Sequence, residues 1–249
     1  MPLRTFVALI VCALAFASAP LRAAETVSPL DREAIEKIVH DYLIQHPEVL
    51  IEAMKSADDK LKADQAAETR AAVHAKQDEL LHDPSTPTGG NPNGNVTIVE
   101  FFDYRCPYCK QVEPDIEALL KEDPKLRIVY KEFPILGPDS VTASRVALAA
   151  LKQGADKYAR FHSAMMNTKG QINEAVIMKV AADSGLDMAR IKSDMKGPEI
   201  DAAIKRTYAL ADALNINGTP AILIGDTLTP GVVDLAGLRQ LIADARKSG

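Results

Sequence analysis

The chain has 249 residues, of which 47% are hydrophobic and 25% are charged, with 13 glycines and 15 prolines. This ordinary globular composition excludes collagen-like, low-complexity and wholly disordered chains. The formal net charge of −5 lacks the basic surplus typical of nucleic-acid-binding proteins, so no nucleic-acid partner is expected. Three cysteines are too few for a small scaffold held together by several disulfides.

The first 24 residues have the pattern of a secretory signal peptide. Arg4 supplies a positive start, an apolar stretch covers residues 6–16, and small residues end the segment at Ala23 and Ala24. The apolar stretch is too short to cross a bilayer, which needs about 20 residues. We therefore expect cleavage near Ala23 or Ala24 and export to an oxidising compartment.

Cleavage would change the cysteine content and the charge. The segment contains Cys12, two arginines and no acidic residue, so the remaining 27 basic and 34 acidic residues give a net charge of −7. The mature chain would keep only Cys106 and Cys109. An exported protein with one closely spaced cysteine pair is the expected result.

Residues 25–90 are predicted to form an N-terminal helical region followed by a linker. The Ser-Pro pair at 28–29 is typical of a helix start, and Pro47 is expected to end or kink the first helix. A second helix is predicted over 48–81, with a clear apolar stripe only in its first part. The segment 83–95 is rich in Pro, Gly and Asn and is predicted to be a loop at a domain boundary.

The apolar stripes of these helices need a partner surface. A region this short buries too little surface to be stable alone. We expect it to self-associate, giving a closed homotrimer or homodimer. The alternative is that the helices dock back onto the domain that follows.

Residues 91–249 have the pattern of an α/β domain with a helical insertion. In chain order we predict a strand at 96–103, a helix at 107–121 kinked at Pro114, a strand at 126–133, the insertion at about 139–215, strands at 221–224 and up to Pro230, and a helix at 235–247. Within the insertion, Tyr158, Phe161 and Met165 share one helical face and are predicted core residues. His162 is predicted to be a packed or surface histidine and not a ligand.

The segment Cys106-Pro107-Tyr108-Cys109 directly follows a predicted strand and begins a predicted helix. Unpaired N–H groups and the helix dipole favour a negative charge at this position, so the pKa of Cys106 should fall below its usual value of about 8.5. A thiolate is both a nucleophile and a good leaving group, as thiol–disulfide exchange requires. Cys106 is therefore the expected reactive, solvent-reachable thiol, and Cys109 can resolve a mixed disulfide.

Other uses of the cysteine pair remain open. Thiolates also suit Cu(I) or zinc, so Cu(I) could bind at Cys106 and Cys109. A structural zinc site would need a second ligand pair, which the five histidines do not form. A purely structural disulfide would close only a very small loop. Redox chemistry requires no metal and no cofactor beyond the Cys106–Cys109 disulfide itself.

Two motifs resemble those of a known family. VEFFDYRCPYCK resembles the active-site segment of the DsbA-like branch of thioredoxin-fold proteins, and NGTPA at 217–221 resembles that family's cis-proline loop. The similarity covers residues 96–249 and implies a thioredoxin fold with a helical insertion. N-terminal helices followed by a CPYC domain resemble the suppressor-of-copper-sensitivity C group of oligomeric disulfide isomerases.

The resemblance implies a role for each matched residue. Cys106 would attack and Cys109 would resolve. Pro220 would be cis beside the pair, and the backbone of Thr219 would bind an extended substrate. Pro107 and Tyr108, between the cysteines, would also contact substrate.

The resemblance also implies a buried acid. Glu100, six residues before Cys106, matches the family's acid near the resolving cysteine. A buried carboxyl with a raised pKa can relay a proton to a thiol. Lys131 on the neighbouring strand is either a partner of Glu100 or a surface lysine.

Two departures from the family pattern bear on the direction of the reaction. The dipeptide between the cysteines lacks the histidine of the strongest oxidases, and Thr219 stands where those oxidases carry valine. Both departures favour disulfide isomerase or reductase activity over net oxidation.

The expected location is the periplasm, and the expected substrates are unfolded or misoxidised secreted proteins. The expected redox partner is a membrane reductase of the DsbD/ScsB type or an oxidase of the DsbB type. The alternatives are a monomeric dithiol oxidase and a copper-binding, copper-tolerance protein.

Overall fold

The computed structural model describes residues 29–248, and the predicted signal peptide with Cys12 lies outside the described residues. The chain divides after Asp59 into two compact units. Its elements in chain order are α1 (Pro29–Gln45), α2 (Pro47–Ala75), α3 (Gln77–Leu81), β1 (Thr88–Gly90), β2 (Val96–Phe102), α4 (Pro107–Glu122), β3 (Leu126–Glu132), α5 (Pro138–Leu151), α6 (Ala155–Met166), α7 (Glu174–Asp183), α8 (Met188–Asp194), α9 (Pro198–Ala213), β4 (Ala221–Ile224), β5 (Thr227–Pro230) and α10 (Leu235–Ser248).

The N-terminal helices break where proline predicts a break. α1 ends at Gln45 and α2 begins at Pro47, because proline is tolerated in a first turn but not in a helix interior. Nine apolar side chains of α1 and of the first part of α2 are 44–73% exposed, namely Ile35, Ile38, Val39, Tyr42, Ile44, Leu50, Ile51, Met54 and Leu61. Within the described residues, no helix has the length and apolarity needed to cross a bilayer.

A five-stranded sheet of order β1-β3-β2-β4-β5 forms the centre of the second unit. β2 and β3 are parallel, whereas the other three pairings are antiparallel. Side chains alternate between the two faces of each strand. One face of the sheet, with Ile98, Phe102 and Ile128, packs against α4, α10 and the helical insertion. The other face carries Phe101 and Val129.

The second face of the sheet is covered in part by the end of the N-terminal helical region. Val73 of α2 and Leu80 of α3 are buried there with Phe101 and Leu223. The second predicted helix is therefore interrupted at Lys76, and its last part belongs to the core of the α/β domain.

β1 lies inside the segment that we predicted to be a loop. It pairs antiparallel with β3, and Gly90 has φ +70°. A Cβ at Gly90 would lie 2.6 Å from the carbonyl oxygen of Leu126, so only glycine fits this approach. The glycines that allow the strand also remove its hydrophobic pattern, which is why the sequence predicts a loop here.

The helical insertion comprises α5 to α9, between β3 and β4, and its breaks fall at or next to the predicted glycines. Gly154, for example, caps α6 with φ +134°. Tyr158, Phe161 and Met165 are buried, as predicted. α4 continues through Pro114.

Candidate active site

The turn between β2 and α4 places Cys106 at the N-cap of the helix. The Asp103 carboxylate accepts hydrogen bonds from the backbone N–H of Arg105 at 2.8 Å and of Leu136 at 2.9 Å. The N–H of Cys106 donates to the carbonyl of Asp103 at 3.0 Å. Pro107 follows in the first turn, where its missing N–H costs nothing. These bonds fix the position of the first thiol.

Hydrogen bonds to sulfur lower the pKa of Cys106 to about 6. The largest contribution is the bond from the Cys109 thiol, and the Thr219 side chain and the backbone N–H groups of Cys109 and Tyr108 add to it, while burial opposes it. The lowered pKa agrees with the prediction from helix position. Cys106 is more buried than a solvent-reachable thiol is expected to be, since only 3% of the residue is exposed. Tyr108, at 59% exposure, is the accessible residue of the motif.

Cys109 has the opposite character. It is fully buried, and its pKa is raised far above the usual range because its proton is held in the hydrogen bond to Cys106. Burial and the negative charge of Glu100 raise it further. One thiol is therefore ready to ionise while the other keeps its proton. Both cysteines are free thiols in this structure.

The loop before β4 faces the cysteine pair. The Thr219–Pro220 peptide is cis, as the family resemblance implied. The Cys106 thiol donates to the carbonyl of Thr219 at 3.2 Å, across 113 residues of sequence. Thr219 and Pro220 also line a groove of about 930 Å³, which Gly218 and Gly231 border.

Glu100 lies on β2, on the sheet face beneath α4. It is fully buried, as predicted, and neither carboxylate oxygen has a hydrogen-bond partner. Burial raises its pKa well above the ordinary value, and the charges of Glu113, Cys106 and Glu132 raise it further. A buried carboxylate of this kind takes up a proton more readily than an exposed one.

Neither sequence-based role for Lys131 is correct. Its backbone position pairs with Phe101, so its side chain lies on the opposite face of the sheet from Glu100. It is buried, and its ammonium group donates to the carbonyl of Glu79 at 2.6 Å and to the Thr86 hydroxyl at 3.1 Å. Burial lowers its pKa to about 8. Lys131 anchors α3 to the sheet.

A second group of buried polar residues was not predicted. Glu113 of α4, Glu132 of β3 and His162 of α6 are buried; His162 contacts Glu113 directly and is connected to Glu132 through the Tyr104 hydroxyl. In the sequence, Glu113 has the pattern of a polar residue on an ordinary amphipathic helix. The one feature that could have indicated a role at the active site is its position two turns after Cys106. No group of three or more His, Cys, Asp or Glu residues in the described part of the chain could hold a metal ion.

Replacing Thr219 with valine tests the electrostatics of the site. Thr219→Val keeps the shape but removes the hydroxyl that lowers the pKa of Cys106. We expect the pH midpoint for alkylation of Cys106 by iodoacetamide to rise by roughly one to two units, the size of one lost hydrogen bond to a charged group. Thr97→Val on β2 is the matched control. An unchanged midpoint in Thr219→Val would remove its hydroxyl from the site.

Comparisons with known proteins agree with this geometry. The family model described as "DSBA-like thioredoxin domain" matches residues 97–243, and that described as "Copper resistance protein ScsC N-terminal domain" matches residues 31–68. A thioredoxin-like oxidoreductase from Silicibacter pomeroyi is 45% identical, with a TM-score of 0.67, covering 69% of this chain and 98% of its own. A linker-deletion mutant of ScsC from Proteus mirabilis is 25% identical, with a TM-score of 0.69, covering 91% of this chain and 100% of its own.

The curated relatives include disulfide-exchange proteins and Na(+)/H(+) antiporters. The thiol:disulfide interchange protein DsbA of Bordetella parapertussis is 29% identical over 173 residues, which span 65% of this chain and 82% of DsbA. The Na(+)/H(+) antiporter NhaA 3 of Salinispora tropica is 26% identical over 152 residues, which span 60% of this chain but only 23% of the antiporter. Since a family model covers more than half of the chain, the protein belongs to the family of DSBA-like thioredoxin domains, and its N-terminal helices match the ScsC N-terminal family.

Proposed function

We propose that the protein is a thiol:disulfide oxidoreductase that acts on cysteine-containing polypeptides through Cys106 and Cys109. The opposed acidities of the two thiols carry this proposal: the pKa of Cys106 is lowered to about 6, whereas Cys109 holds its proton. A pair of this kind separates attack from resolution, because only one sulfur is a thiolate at neutral pH.

The exchange proceeds in two balanced steps. The Cys106 thiolate attacks one sulfur of a client disulfide, and the other client sulfur leaves as a thiolate. The Cys109 thiol then gives its proton to Glu100, and its sulfur forms a bond with Cys106. The second client sulfur leaves with the electron pair of the broken bond, so the client is reduced and the cysteine pair is oxidised.

Isomerase or reductase activity is the direction we propose. A pKa of about 6 for Cys106 lies between that of thioredoxin, about 7, and that of the strongest oxidase, about 3.5. Such a thiolate makes a couple of intermediate oxidising strength. The Pro-Tyr dipeptide contains no imidazole that would stabilise the thiolate further.

The signal-peptide pattern supports a periplasmic location, where disulfides form and are corrected. The clients would be unfolded or misoxidised secreted proteins. A membrane reductase of the DsbD/ScsB type would restore the dithiol form. A partner of the DsbB type would instead indicate net oxidase activity.

The exposed apolar faces of α1 and α2 support self-association of the N-terminal helices. Ile38 and Ile51 are 67% and 69% exposed. Exposed apolar patches of this kind mark interaction sites. A homotrimer or homodimer would hold several active sites near one client and raise their effective concentration.

Copper handling is a second candidate, favoured by the description of the family model that matches residues 31–68. The thiolates of Cys106 and Cys109 would bind Cu(I). If this were the main activity, the isolated protein would be copper-loaded and slow to reduce insulin. Fast insulin reduction by metal-free protein would argue against it.

Trapping tests the assignment of the two thiols. Cys109→Ala should accumulate mixed disulfides with reduction-sensitive clients such as scrambled ribonuclease, because attack occurs and resolution does not. Cys106→Ala, the matched control, should trap nothing. Trapping by Cys106→Ala would reverse the roles, and trapping by neither variant would contradict the proposed activity.

The role of the N-terminal helices is tested separately. Ile38→Glu with Ile51→Glu should convert the oligomer to a monomer in solution-mass measurements, because charge replaces apolar contact. Insulin reduction should persist while most scrambled-ribonuclease refolding is lost. Ser56→Glu, which adds charge at an exposed polar position of α2, is the control. A wild-type protein that runs as a monomer would refute this proposal.

A further inference from the structure

A chain of buried polar groups runs beneath the active-site helix. The Tyr104 and Tyr158 hydroxyls each donate to Glu132 Oε1 at 3.1 Å, and the Ser144 hydroxyl donates to Glu132 Oε2 at 2.7 Å. Nδ1 of His162 lies 3.1 Å from the Tyr104 hydroxyl. These groups connect α5, α6 and β3 with the turn that precedes Cys106.

The other ring nitrogen of His162 faces the catalytic helix. Nε2 lies 3.3 Å from Oε1 of Glu113, and both side chains are almost completely buried. The contact is not an aligned hydrogen bond, and neither Nε2 of His162 nor Oε2 of Glu113 has a hydrogen-bond partner. Buried polar atoms without partners are rare in folded proteins and call for an explanation.

The hydrogen-bonding protons of these buried polar groups can be assigned one by one. Tyr104 has a single hydroxyl proton, so when it donates to Glu132, Nδ1 of His162 must be the donor toward Tyr104. Two bare lone pairs at Nε2 and Oε1 would repel each other at 3.3 Å, so one proton lies between them. Whichever of the two groups holds that proton, the pair of His162 and Glu113 carries no net charge.

His162 is enclosed by aromatic rings. Ring centroids lie 4.4 Å away for Tyr130, 5.0 Å for Phe102 and 5.6 Å for both Tyr104 and Tyr158. The ionisable groups that face it are Glu113 from α4, Tyr104 from the turn after β2, Tyr130 from β3 and Tyr158 from α6, with Glu132 of β3 one hydrogen bond further away. Among these, His162 is the single basic side chain.

The charge of Glu113 acts on Glu100. Of the charged groups that raise the pKa of Glu100, Glu113 has the largest effect. Both oxygens of Glu100 are buried without a partner, so little else offsets that charge. Whatever neutralises Glu113 therefore changes how easily Glu100 ionises.

We propose that His162 is a positioning residue of the exchange reaction, which neutralises Glu113 and thereby controls how readily Glu100 accepts the proton of Cys109. This inference rests on the proposed function. It concerns the resolving step, in which the Cys109 S–H bond breaks, the proton moves to Glu100, and the Cys109–Cys106 bond replaces the bond between Cys106 and the client sulfur.

The test is the pH profile of the resolving step in the full-length protein. Reduced protein is mixed rapidly with increasing concentrations of oxidised glutathione, acid-quenched, and assayed for the Cys106–Cys109 disulfide. The rate at the plateau reports resolution, because only the first attack scales with glutathione. His162→Gln keeps a polar side chain but has no ring nitrogen that could share a proton with Glu113.

We expect His162→Gln to move the midpoint of this profile up by about one pH unit, a roughly tenfold loss of rate below the midpoint. Glu113→Gln should move it down. Adding Glu113→Gln to His162→Gln should bring the midpoint back to the wild-type value or below it. His40→Gln, which changes an exposed histidine of α1, should leave the profile unchanged.

An unshifted midpoint in His162→Gln would overturn the inference. A double variant whose midpoint remains shifted upward would also overturn it, because the loss of a purely structural histidine lowers the rate or the stability and is not rescued by Glu113→Gln. If His162→Gln does not fold, Glu113→Gln alone decides the matter: a midpoint that does not fall refutes the proposal. A wild-type protein that forms no Cys106–Cys109 disulfide would instead refute the proposed function.

Discussion

The hydrogen bond from the thiol of Cys109 to the sulfur of Cys106 is the interaction on which the rest of the active site depends. It lowers the pKa of Cys106 and raises that of Cys109 at the same time. Two residues with the same side chain therefore acquire different chemistry. The bond requires Cys106 at the start of α4 and Cys109 within its first turn, and the turn held by Asp103 provides that placement.

The fold surrounds this pair with groups from distant parts of the chain. The loop before β4 brings Thr219 to Cys106 from one side. The sheet places Glu100 under α4, and the helical insertion adds His162 behind Glu113. Stabilisation of the thiolate and handling of the second proton thus come from different layers of the domain. On the proposed mechanism, we expect changes in the insertion to alter the resolving step without altering the first attack.

Much of this arrangement could be predicted from the sequence, because local signals determine it. The CPYC motif after a strand, the loop at Pro220 and the glycine breaks of the insertion all lie where the patterns indicated. The features that could not be predicted from the sequence depend on contacts between residues far apart in the chain. β1 is formed by glycines that resemble a loop, and Lys131 is paired on the opposite face of the sheet from Glu100. The burial of Cys106 and the contact between Glu113 and His162 arise only when separate elements meet.

Titration of the ultraviolet absorbance of the thiolate, in the reduced protein and in Cys109→Ala, measures directly how far the Cys109 thiol lowers the pKa of Cys106. We expect a wild-type midpoint near pH 6 for Cys106 and a clearly higher midpoint once the Cys109 thiol is removed. A wild-type midpoint near the ordinary cysteine value of about 8.5, or one that Cys109→Ala leaves unchanged, would contradict this expectation.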